Sequence, residues 1–306
     1  MQCLKPIYVH LTKESDKLLF GTDMIPVPCG KCLICKSNRR QEFATRLQVE
    51  ADSAKSTWFG TLTYSDDYLP YGDLVEEDTG EVFHVPVLRK SDIQHYFMRL
   101  RTRLWRKYGK SVYKEFNLKY FAVGEYGSNP VDLVTFRPHW HFVLLNLPDD
   151  DINLLDECWQ DDEGNFFGTV EFRPGELNAF AYCGKYMLKP PNLPSYYKGV
   201  LLSSKGIGLG YLTESRIKWH KADLKNRRYI RINGYKVNMP RYLRNKIYDD
   251  REKRICLKYF ADDLKNHNLY YINDELSVHG AVVEQYYLQK QRERRILINF
   301  KNSLRL

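Results

Sequence analysis

The run His139-Trp140-His141-Phe142-Val143-Leu144-Leu145 constrains the fold of this chain more than any other segment. It reads as a strand, and a strand's side chains repeat every two residues, so both imidazoles project from one face. Two imidazoles on one face are half of a metal site. Alone, a His-x-His pair on a strand is more often structural, so its meaning depends on which other segments converge on it.

Gly124-Glu125-Tyr126-Gly127 closes a second strand expected over 118–126. If this strand pairs antiparallel with 139–146, the Glu125 carboxylate comes close to His139 and His141. Two histidines and a carboxylate with open positions suit a divalent ion that must also hold a phosphate oxygen, such as Mg²⁺ or Mn²⁺. The bland alternative for Glu125 is a solvated side chain in a turn. Further on, Pro174-Gly175-Glu176 opens a helix expected to run to about Lys189, where Pro190-Pro191 stops it. Tyr182 and Tyr186 are four apart and share a face of that helix, and Lys185 and Lys189 each follow by three. A phenol becomes a useful nucleophile when its proton is taken or when a nearby cation activates the phosphate it attacks. The competing reading is an aromatic stripe facing the core, against which a mid-helix Gly184 argues slightly.

Four of the seven cysteines, Cys3, Cys29, Cys32 and Cys35, lie in the first 35 residues. In a chain without the apolar core of a signal peptide, such spacing favours a thiolate metal site over a disulfide framework, and structural Zn²⁺ would be satisfied by these four. An iron–sulfur cluster and plain reduced thiols stay open. Cys158, Cys183 and Cys256 read as ordinary buried thiols.

The remaining pattern gives a helix over 38–54, a strand over 57–64, polar connection over 65–90, and a helix over 91–108. Ser91-Asp92-Ile93-Gln94 reads as a capping box for that last helix and Gly109 as its C-cap. A fourth strand is expected over 168–172. This order predicts an α+β fold, an antiparallel sheet with helices packed on it. Residues 211–306 carry 22 Lys and Arg against 11 Asp and Glu, so the +9 net charge resides there, and this third is the expected polyanion-binding surface. An aromatic content of 14% adds rings that can stack on unpaired bases. No apolar run approaches the roughly 18 residues of a membrane span, and an intracellular protein is expected.

The strand Phe59-Gly60-Thr61-Leu62-Thr63-Tyr64, the His139-Trp140-His141 strand and the tyrosine helix together resemble the three motifs of the HUH endonuclease superfamily, in the same order. More narrowly, Pro28-Cys29-Gly30-Lys31-Cys32-x-x-Cys35, Gly124-Glu125-Tyr126-Gly127, Arg137-Pro138-His139-Trp140-His141 and Tyr-x-x-Lys-Tyr-x-x-Lys resemble the replication initiators of gokushovirus-type microviruses, small single-stranded DNA phages. Ser203-Ser204-Lys205-Gly206-Ile207-Gly208 and Met239-Pro240-Arg241-Tyr242 are similar to downstream segments of those proteins.

The resemblance implies an RRM-like palm and rolling-circle initiation in the cytoplasm of a bacterial host. Glu125, His139 and His141 would hold the ion; Tyr182 or Tyr186 would attack single-stranded origin DNA; Lys185 and Lys189 would position metal or phosphate. Arg39, Arg40 and Arg46 are candidates for holding the strand, and a host helicase is a candidate partner. No Gly-x-x-x-x-Gly-Lys-Ser/Thr motif marks a fused helicase. Gly206-Ile207-Gly208-Leu209-Gly210 reads as a turn or a backbone contact to DNA. The expected organisation is a cysteine segment over 1–37, an endonuclease domain over 38–210 and a basic extension over 211–306. Two alternatives stay open: a relaxase or transposase of the same superfamily, and a non-enzymatic zinc-dependent nucleic-acid-binding protein.

Overall fold

The computed structural model describes Cys3, Pro6 and residues 7–75, 80, 82–127, 137–175 and 200–272. The chain divides into two compact units, one comprising Leu47–Gly208 and the other Met1–Arg46 with Leu209–Leu306. The cysteine segment and the basic C-terminal third thus fall in the same unit.

The first unit is built on a five-stranded antiparallel sheet of order β8-β3-β7-β6-β9, the α+β architecture expected. Its strands are β3 (Thr57–Leu62), β6 (Lys119–Tyr126), β7 (Pro138–Leu145), β8 (Val170–Pro174) and β9 (Leu201–Ser203). The central strand β7 decides which side is which. Trp140, Phe142 and Leu144 alternate onto one face and are fully buried. There they join Ile93, Tyr96, Phe97, Leu100 and Leu104 of helix α3 (Lys90–Phe116) in one core cluster. Each such side chain contributes roughly 1.5–3 kcal/mol by leaving water, which fixes the strand register and so determines that the two histidines face the other way.

Three local expectations need correction. The Ser91-Asp92-Ile93-Gln94 segment does not cap α3: Arg89 occupies the N-cap position without a side-chain bond, and Asp92 instead accepts from Tyr64 Oη at 3.0 Å. That tyrosine in turn accepts from Trp140 Nε1 at 3.2 Å, so the carboxylate belongs to a core network. Gly109 does adopt a left-handed backbone (φ 76°), but the chain resumes its helix beyond this kink and ends at Asn117, also left-handed at φ 51°. Within the expected polar connection lies a hairpin, β4 (Tyr71–Val75) paired with β5 (Val82–Pro86). Tyr71, Val75 and Val82 are exposed, so the strands carry no buried face to announce them.

Gly206 and Gly208 form a turn with positive φ. The Gly208 N–H donates to Glu50 Oε2 at 2.6 Å, and Lys119 Nζ bridges Glu50 Oε1 at 2.5 Å and the Gly206 carbonyl at 3.4 Å. At Gly208 the backbone donor is therefore taken by a buried carboxylate rather than available to DNA.

The second unit contains the hairpin β1 (Ile7–His10) with β2 (Met24–Val27), helix α1 (Glu14–Phe20) between them, and the start of helix α2 (Leu33–Ala51). From the C-terminal side come α5 (Glu214–Lys221), the ribbon β10 (Tyr229–Ile232) with β11 (Tyr235–Asn238), α6 (Arg241–Ile247) and α7 (Asp250–Ile272); the short α4 (Leu154–Glu157) belongs to the sheet unit. An ion pair of 3.1 Å joins Asp16 of α1 to Arg254 of α7. No described helix is long and apolar enough to cross a membrane.

Candidate metal centre

Antiparallel pairing of β6 with β7 sets Glu125 directly opposite His139 and Val123 opposite His141. Directly opposed residues share a face, so the carboxylate reaches both rings: Glu125 Oε2 lies 3.2 Å from His139 Nε2 and 3.1 Å from His141 Nε2. The convergence expected from the sequence is present in the structure.

Each imidazole is held by its other nitrogen. His139 Nδ1 is 3.1 Å from the Arg137 carbonyl, which can only accept, so Nδ1 carries the proton and Nε2 presents a lone pair. His141 Nδ1 is 3.0 Å from Thr61 Oγ1, one strand away on β3, where Thr61 stands opposite His141. Phe59 stacks on the His141 ring, with centroids 5.8 Å apart and planes 16° apart. Arg137 braces the entry to β7 by pairing with Asp66 and donating to the Tyr64 carbonyl at 2.8 Å. Thr61, Phe59 and Arg137 have no site role in the sequence reading. The signal for the first two lies in period-2 alternation on β3, readable only once the register against β7 is known.

Burial pushes the His141 pKa below its usual value, against the pull of Glu125, so the ring is neutral and ready to ligate. Burial works to raise the Glu125 pKa, but hydrogen bonds and charge from the two imidazoles outweigh it and hold the carboxylate ionised. Donor atoms with ligand bonds of about 2.1 Å at neighbouring corners of an octahedron are about 3.0 Å apart. The observed 3.1 and 3.2 Å fit that spacing and suit a three-ligand set with further positions open.

The four N-terminal cysteines also meet. Cys3 Sγ lies 3.5 Å from Cys29 Sγ and 3.7 Å from Cys32 Sγ, and Cys29 Sγ is 4.0 Å from Cys35 Sγ. Tetrahedral zinc with bonds of about 2.3 Å requires sulfur separations of about 3.8 Å, so this donor set fits. Gly30 turns the chain with φ 73°, and the Cys32 N–H points at Cys29 Sγ over 3.4 Å. Backbone N–H groups of Cys32 and Lys31 draw the Cys29 thiol down to about 6, while burial and neighbouring thiols push Cys35 up to about 12. None of the four is in a disulfide; Cys158 and Cys256 are buried, as expected, and also unpaired.

Of the strand-holding candidates, Arg39 is exposed, Arg40 is partly buried with its pKa lowered by that burial, and Arg46 stacks over Phe43 at 5.1 Å and Tyr242 at 4.1 Å. Tyr182, Lys185, Tyr186, Lys189 and Cys183 lie outside the described residues.

The family model of the replication-associated protein ORF2 matches residues 57–191, which run from β3 through the segment holding both tyrosines. The replication-associated protein ORF2 of Spiroplasma virus 4 is 30% identical over 254 residues, covering 73% of this chain and 73% of that protein. The replication-associated protein VP4 of Bdellovibrio phage phiMH2K is 27% identical over 205 residues, 62% of this chain and 58% of that one. No solved structure matches the chain. With the strands of Glu125, His139 and His141 both inside the matched span, the chain belongs to the ORF2 family of phage replication-associated proteins.

Proposed function

We propose that this protein is a metal-dependent HUH nickase that initiates rolling-circle replication of a phage genome in the cytoplasm of its bacterial host. The observation that carries the reading is the single Glu125 carboxylate shared by two oriented imidazoles on the paired strands β6 and β7. Glu125, His139 and His141 would hold Mg²⁺ or Mn²⁺, which supplies charge stabilisation at the scissile phosphate. Tyr182 or Tyr186 gives up its phenolic proton and attacks phosphorus. The bond to the 3′ oxygen breaks, that oxygen takes a proton, and the 5′ phosphate stays on the tyrosine as an ester. The released 3′ hydroxyl primes synthesis, and attack of a 3′ hydroxyl on the ester rejoins strands at termination. Lys185 and Lys189 orient the phosphate. Zn²⁺ on Cys3, Cys29, Cys32 and Cys35 has a structural role.

The test is covalent chemistry. Wild-type protein incubated with a single-stranded origin oligonucleotide and Mn²⁺ should give an SDS-stable adduct, lost when Tyr182 and Tyr186 are both changed to Phe and when His139 and His141 are changed to Ala. An adduct that survives either double substitution overturns the assignment.

A further inference from the structure

The unit that carries the C-terminal third holds a surface for which the nicking chemistry has no use. From Lys225 to Tyr248 the sequence has eight Lys and Arg and no Asp or Glu. At its centre is the β10–β11 ribbon, turned at Asn233-Gly234 with φ 49° and 83°, the left-handed pair that a two-residue hairpin requires. The register sets Tyr229 opposite Asn238 and Arg231 opposite Lys236, so these four share one face. The other face is the anchor, with Ile230 1% exposed. Arg231, Lys236 and Asn238 are exposed.

The two cations are fixed without being neutralised. Arg231 donates to the Gly234 carbonyl at 3.0 Å and lies 5.7 Å from the Tyr229 ring centre; the Lys236 ammonium is 4.5 Å from the same centre. Neither pairs with a carboxylate among the described residues. Trp219 packs edge-on against Tyr229 at 5.8 Å, and Arg227 lies over Trp219 at 4.8 Å, so the ribbon root is braced by further rings and charge.

Such a face suits phosphates, and its shape discriminates between strands. Single-strand binding needs open ring faces on which bases stack, whereas the Tyr229 ring is already engaged by two cations and a tryptophan. A two-stranded ribbon is one of the few elements that the major groove, about 12 Å wide, admits. We infer that the β10–β11 ribbon binds duplex DNA, with Arg231 and Lys236 on phosphates and Asn238 presenting its amide to base edges. This surface stands independently of the tyrosine chemistry.

Full-length protein would be titrated into a fluorescent origin duplex, and into one of its strands, over a salt series. Arg231→Ala with Lys236→Ala should weaken duplex binding tenfold or more near about 100 mM salt, and flatten the slope of log affinity against log salt by about two. Adduct formation on the single-stranded oligonucleotide and the melting temperature should stay at wild-type values. Asn238→Ala should narrow the preference for origin over scrambled duplex. If the double variant melts early, Lys236→Ala alone, at an exposed position, should flatten the slope by about one. An unchanged duplex affinity and slope, or an equal loss on duplex and single strand, overturns the proposal.

Discussion

Thr61 on β3 stands directly opposite His141 on β7, and its hydroxyl lies 3.0 Å from the Nδ1 of that ring, the nitrogen turned away from Glu125. The contact fixes the plane in which Nε2 meets the carboxylate. Outer partners of ligating histidines are worth about 10–100-fold in metal affinity. Thr61→Val keeps the branched shape and removes the hydrogen bond, so it should weaken Mn²⁺ binding by about that factor, while Thr61→Ser should restore it. An Mn²⁺ titration followed by electron paramagnetic resonance reads this directly. A Val variant that binds as tightly as wild type would leave Thr61 as mere packing.

The sequence and the structure agree best where periodicity and burial act together. His139, His141 and Glu125 were legible because a two-residue repeat and an adjacent strand leave few ways to arrange them, and the α3 stripe because Phe97, Leu100 and Leu104 are all buried. The β4–β5 hairpin was not legible, because its apolar side chains face solvent and its turn chemistry is not distinctive. The cap of α3 was misread for another reason: Asp92 has a cap residue's chemistry, but tertiary contact with Tyr64 claims it. Thr61 needed the strand register, which no local pattern carries.

Gly60 faces Phe142 across the same strand pair, and a Cβ added there would sit 2.2 Å from the ring's Cζ. Gly60→Ala therefore overpacks the core under the metal centre, at a cost of about 1–3 kcal/mol, read as a lower urea midpoint. Combining it with Phe142→Leu should lose less than the two changes summed, because the smaller side chain yields space. Strict additivity would show that the clash is relieved elsewhere.

Metal loading of the cysteine cluster should follow the thiols' unequal readiness. Cys29, held at about 6, is already a thiolate near neutral pH, whereas Cys35, pushed up to about 12, gives up its proton only to the metal. Purified protein should carry one Zn²⁺ per chain by elemental analysis. Zinc affinity should rise steeply with pH, and Cys35→Ser should flatten that dependence more than Cys29→Ser. Equal flattening by both would contradict the assignment.

Lys119 and Glu50 form a buried pair, their side chains 12% and 5% exposed, and Glu50 also receives the Gly208 N–H. Removing one partner of such a pair typically costs about 3–5 kcal/mol, because the other charge is left uncompensated. Glu50→Ala should lower stability on that scale, and Glu50→Leu with Lys119→Met should recover much of it. Equal instability of the single and double variants would mean that the Gly206–Gly208 turn, not the charge, is what Glu50 supports.

His220 gives stability a pH dependence whose sign follows from its surroundings. The side chain is 0% exposed; its Nδ1 donates to the Arg227 carbonyl at 2.7 Å and its Nε2 accepts from Tyr211 Oη at 2.9 Å. Burial, with Arg216 and Arg227 nearby, holds its pKa below the ordinary imidazole value despite the carbonyl contact. As pH falls below about 6.5 the unfolded chain takes up this proton before the folded one does. Stability is therefore complete above that pH and declines on acidification until the folded-state pKa is reached, by up to about 1.4 kcal/mol per pH unit. Urea midpoints at pH 7.5, 6.5 and 5.5 should fall faster for wild type than for His220→Gln, which cannot titrate. Parallel curves would mean that the folded protein accommodates the charged ring, with Tyr211 turning its hydroxyl to accept from Nε2.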